Sequence, residues 1–90
     1  MKKAYEYRVE FATPQQAEIW FSAITLAGPG RSGIGVRRIP RLEEEEDEDF
    51  VRRIHSEARE LLPLYVQEYV QKEEQRQKLI KLSEAFAATH

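Results

Sequence analysis

Apolar and charged residues alternate without exception from Tyr5 to Phe11. Tyr5, Tyr7, Val9 and Phe11 fall on one side of an extended chain, and Glu6, Arg8 and Glu10 on the other. Period-two alternation of β-branched and aromatic residues with charges predicts a strand with one buried face. The next segment changes character. Thr13-Pro14-Gln15-Gln16 carries three helix-start features. Thr13 can cap, Pro14 suits the first helical position because its missing N–H would be unpaired there, and Gln16 completes a capping box. A helix is therefore expected to about Ala27, stopped by Gly28-Pro29-Gly30. Gln15, Glu18, Ser22 and Thr25 form one polar stripe, and Ala17, Ile19, Trp20, Phe21, Ala23, Ile24, Leu26 and Ala27 are apolar. A surface helix needs an apolar stripe of only roughly 100°, so this one calls for cover by later helices or by a second subunit.

Gly28 to Gly35 reads as a flexible connection and Ile34 to Ile39 as a second strand ended by Pro40. Strand, helix and strand make a β-α-β unit. Two strands alone are marginal as a sheet, so completion by dimerisation is expected, or cover by the C-terminal helices.

From Phe50 the period becomes helical, with Phe50, Val51, Ile54, Ala58, Leu61, Leu62, Tyr65, Val66 and Tyr69 recurring at three- and four-residue spacing. Pro63 interrupts this pattern and predicts a kinked helix or a helix pair. Beyond Val70 come eight successive polar residues, Gln71 to Lys78, or about 12 Å of helix at 1.5 Å per residue. Leu79, Ile80, Leu82, Ala85 and Phe86 follow. Such an order suggests an arm that leaves the body and buries its tip elsewhere. The expected fold is α+β: a small β-α-β unit over 1–42, an acidic connector over 43–49 and a C-terminal helical region over 50–90, together one structural domain.

Charge refines this picture. Fourteen Lys and Arg stand against sixteen Asp and Glu, a net −2 that hides a segregation. Glu43, Glu44, Glu45, Glu46, Asp47, Glu48 and Asp49 form an uninterrupted acidic run, and without it fourteen bases face nine acids. Arg31, Arg37, Arg38 and Arg41 precede the run with no acid among them. The acids read as a solvated helix start, as a docking strip for a basic partner, or as a nucleic-acid mimic. The arginines read as a guarded sheet edge or as candidate nucleic-acid contacts.

Catalytic chemistry finds no foothold. There is no cysteine, which excludes thiol catalysis and cysteine-ligated metals. The glycine-rich stretch follows the expected helix and lacks the lysine of a phosphate loop. Neither His55 nor His90 has a partner at metal-ligand spacing, and the acidic run lacks the central glycine of a calcium loop. The serines lack a nucleophile-elbow context. We therefore expect neither an enzyme nor a cofactor or metal site. No apolar run approaches a membrane span, and the start at Met1-Lys2-Lys3 leads into a strand rather than a signal core, so a cytoplasmic protein without membrane contact is expected.

The remaining expectation is a small non-catalytic interaction module, a regulator, adaptor or inhibitor, that self-associates as a dimer and binds a larger protein partner. Leu79, Ile80, Leu82 and Phe86 are the expected contacts, with Trp20, Phe21 and Ile24 as a second interface. The alternative is a nucleic-acid-binding regulator using Arg31, Arg37, Arg38 and Arg41.

Overall fold

The computed structural model describes residues 3–26 and 30–88. Three strands, β1 (Lys3–Thr13), β2 (Gln16–Thr25) and β3 (Gly30–Pro40), form an antiparallel sheet in the order β1-β2-β3, and one helix, α1 (Asp47–Ala88), follows. The class is α+β. The central element differs from expectation: the segment read as the helix of a β-α-β unit is the middle strand. Gly28 and Pro29, read as the stop of that helix, lie outside the described residues.

The cause is visible in β2. Ala17, Ile19, Phe21 and Ala23 are buried on the face toward α1, while Glu18, Trp20, Ser22 and Ile24 occupy the opposite face. Period two is present, but Trp20 and Ile24 put large apolar side chains on the second face as well. The run then looks apolar on nearly every side and satisfies a helical period equally well. The local start signal is ambiguous for a related reason. Thr13 pairs with Gln16 across a tight Pro14-Gln15 turn, and its Oγ1 accepts from the Gln15 N–H at 3.1 Å. A hydroxyl that accepts a backbone N–H two residues on serves a turn as readily as a helix cap.

The pairing registers set both faces of the sheet. Phe21 lies between Tyr7 and Gly35, and Trp20 between Arg8 and Val36. An irregularity opposite Phe21 and Ser22 makes Ile34 an extra residue in β3, and Ile34 uses this to pack against the core. That core lies between one sheet face and the first half of α1. Ala17, Ile19, Phe21 and Ile39 meet Phe50, Ile54 and Ala58, ringed by Tyr7, Val9, Leu61, Leu62 and Tyr65.

Helix α1 runs 42 residues without a break, Pro63 included. At 1.5 Å per residue that is about 63 Å, which matches the 66 Å long axis of the molecule. One helix runs through Pro63, so the expected helix pair does not form. Proline deprives the Arg59 carbonyl of its usual N–H donor, but both residues are exposed, so water can replace it. Ala58, Leu61, Leu62 and Tyr65 hold the helix to the sheet on either side.

Candidate functional site

The junction between sheet and helix is built from the acidic run. Leu42 to Glu45 make a turn, with Glu44 at φ 64° and the Glu45 N–H donating to the Leu42 carbonyl at 3.2 Å. The helix starts immediately after, where the Phe50 N–H donates to the Glu46 carbonyl at 2.9 Å. Asp47, Glu48 and Asp49 therefore occupy the first helical turn, where negative charge meets the positive end of the helix dipole. Arginines take up much of the remaining charge. Arg53 donates to both Glu45 carboxylate oxygens at 2.9 and 3.0 Å and to the Pro40 carbonyl at 2.7 Å. Arg41 donates to the Glu45 carbonyl at 2.8 and 3.0 Å and pairs with Asp47. Both guanidiniums lie over the Phe50 ring, at 5.5 and 5.7 Å. The Arg53 hydrogen bonds hold the Glu45 carboxyl below the usual glutamate range, and the same contact raises Arg53.

The four arginines of 31–41 do not gather into a patch. Arg31 pairs with Glu6 at 2.8 Å and Arg38 with Glu18 at 3.4 Å, both on the open sheet face. Arg37 points to the helix side and pairs with Glu57 at 3.8 Å, and Arg41 serves the junction. Each faces an acid of its own chain.

Trp20, Phe21 and Ile24 are divided by the strand. Phe21 is completely buried and stacks on Tyr65, with ring centroids 4.5 Å apart. It belongs to the core and cannot serve an interface. Trp20 and Ile24 lie on the open face, where Arg8 crosses the Trp20 ring at 5.8 Å. The Trp20 Nε1 is buried and meets no acceptor among the described residues. Tyr69 sits under the edge of the sheet, packed edge-to-face on Tyr5 and accepting from Lys3 Nζ at 2.8 Å. His55 Nδ1 shares a 2.8 Å hydrogen bond with the Tyr7 hydroxyl and is half-buried. His90 lies outside the described residues, and among those described no three acidic or histidine side chains gather as a metal cluster.

The arm carries a run of exposed apolar side chains, while Leu26, Leu42 and Leu64 are exposed singly elsewhere. Past Tyr69 the helix leaves the sheet, and its polar stretch is braced by Lys72–Glu68 at 2.8 Å and Arg76–Glu73 at 3.4 Å. Leu79 is then 67% exposed, Ile80 37%, Leu82 56% and Phe86 64%. Leu79 follows Leu61 by five turns and Phe86 follows Phe50 by ten, at 3.6 residues per turn. The tip thus repeats the stripe that the sheet covers further back, beyond the reach of the sheet. Leu79 and Ile80 border a shallow groove with Lys72, Gln75, Arg76, Ser83 and Glu84.

No protein-family model, curated protein or solved structure matches this chain.

Proposed function

We propose that the protein is a small non-catalytic interaction module whose projecting helical arm docks on a larger protein partner. One observation carries the reading: Leu79, Ile80, Leu82 and Phe86 stand exposed at helical spacing on a segment far from the chain's own core. An amphipathic helix that lays such a stripe into an apolar groove is a recurrent mode of recognition, read as anchors three, four and seven residues apart. Leu79, Leu82 and Phe86 have that spacing. The polar stretch before them acts as a spacer that holds the anchors clear of the sheet, and the basic residues Lys78 and Lys81 beside them favour a groove with an acidic rim.

The acidic run fits a structural duty better than a docking strip, since Glu45, Asp47 and Asp49 already bind Arg53, Arg41 and Arg52. Nucleic-acid binding also draws less support than arm docking. Phosphates would have to compete with the carboxylate partners of all four arginines, and those arginines are spread over two faces and one end of the sheet.

Affinity capture with the full chain and with its Leu79→Lys/Leu82→Lys variant tests the proposal. A partner retained by the full chain and lost with the variant is expected, together with slowed amide exchange across 72–88 in the complex. Equal capture by both chains, or binding of DNA or RNA that falls steeply with salt, would refute it.

A further inference from the structure

The two edges of the sheet are guarded to very different degrees. Strand β3 carries Gly30, Gly33 and Gly35, the bulge at Ile34, three arginines and a terminal Pro40. All of these discourage another strand from pairing there. Strand β1 is the opposite edge. It has neither glycine nor proline, is rich in residues that favour strands, and pairs regularly with β2 from Lys3 to Phe11. Among the described residues nothing pairs with its outer side. A long, regular, alternating edge of this kind is a template for another strand.

We infer that β1 pairs antiparallel with β1 of a second copy, giving a six-stranded sheet with both helices on one face. The strand is complementary to itself. Antiparallel pairing about a two-fold axis keeps each side chain on its own face only when a residue lies opposite its own copy at the axis. With Tyr7 at the axis, Arg8 lies opposite the partner's Glu6, and with Val9 at the axis it lies opposite the partner's Glu10. Either register adds two symmetric ion pairs, which share Arg8 with its own Glu10 at 3.1 Å and, for the Tyr7 axis, Glu6 with Arg31 at 2.8 Å, whereas an axis at Arg8 sets arginine against arginine. The apolar rows join at the same time. In the two favourable registers Phe11 lies opposite the partner's Lys3 or Tyr7. Phe11 is 52% exposed in the single chain and borders, with Val51, an apolar dent on this flank. Pairing through β1 leaves the arms free, so this inference goes beyond arm docking and uses a different surface.

Sedimentation of the full chain across concentration at low salt is the test, with circular dichroism as a check on folding. The unaltered chain is expected to dimerise. Arg8→Glu sets like charges opposite each other twice and should raise the dimer Kd about tenfold or more. Mixing that chain with a Glu6→Arg/Glu10→Arg chain should restore a one-to-one dimer. Leu79→Lys/Leu82→Lys should leave dimerisation intact, which separates this surface from the arm. Hydrogen exchange on the unaltered chain supplies a readout free of mutation: protection that grows with concentration should appear in β1. A strict monomer, an Arg8→Glu chain that dimerises as before, or protection confined to β3 or the arm would overturn the inference.

Discussion

Arg53 holds both carboxylate oxygens of Glu45 in a two-pronged contact, at 2.9 and 3.0 Å. The pair closes the turn between sheet and helix, because the same guanidinium also binds the Pro40 carbonyl and Glu45 Oε1 accepts from the Leu42 N–H. Acid should attack this junction. The Glu45 carboxyl is lowered in the folded state, so its stabilisation is complete above the unfolded glutamate pKa and is lost as pH falls through the lower folded value. Thermal melts below the usual glutamate range should show a falling midpoint, and Glu45→Gln should flatten that acid slope. An unaltered slope in the variant would place the acid sensitivity elsewhere.

Gly35 is where β3 passes beneath the Tyr65 ring. A β-carbon at that position would lie 2.4 Å from two ring atoms, and the ring is already stacked on Phe21. Gly35→Ala is expected to destabilise the fold by about 1–3 kcal/mol, the usual cost of overpacking a core. Gly33→Ala serves as control, since a β-carbon there meets nothing within 4 Å. Urea unfolding that ranks the two variants equally would count against this packing.

Pro63 burdens the helix with a missing hydrogen bond at an exposed position. Replacing it by alanine restores the donor to the Arg59 carbonyl and should stabilise the protein by about 1–3 kcal/mol. A rise in chemical stability with unchanged helix content checks this. A loss of stability would show that the proline has a packing role.

The arm should matter to binding and little to folding. Leu79→Lys/Leu82→Lys removes two half-exposed side chains that lie outside the core, so unfolding free energy should change by no more than about 0.5 kcal/mol per site. Calorimetry showing a much larger loss would mean that the tip is buried against its own molecule in solution.

The indole of Trp20 gives a further check. Its buried Nε1 meets no acceptor among the described residues, so Trp20→Phe is expected to forfeit no hydrogen bond. The cost should stay within about 1 kcal/mol, measured by urea unfolding. A much larger loss would reveal an interaction made through the indole nitrogen.

Some of this architecture could be read from the chain alone because it depends on residues close in sequence. Tyr5 to Phe11 alternate strictly and form a strand whose Tyr5, Tyr7 and Val9 are half-buried on the helix side, while Phe11 stays exposed. Phe50 to Tyr69 recur at helical spacing and dock that helix, and Gln71 to Lys78 have no apolar face to bury, so the arm and its exposed tip follow from order alone. Other features needed the assembled fold. Whether Gln16–Thr25 becomes helix or strand depends on distant partners: Tyr7 and Gly35 flank Phe21, and only their pairing decides that Phe21 is core while Trp20 faces out. Pro63 is tolerated because the sheet grips the helix on both sides of it. Glu45 and Arg53, eight residues apart, meet only when the chain turns at Glu44. Local patterning governs elements whose alternatives are all poor, whereas long-range packing decides those for which two local structures are nearly equal in free energy.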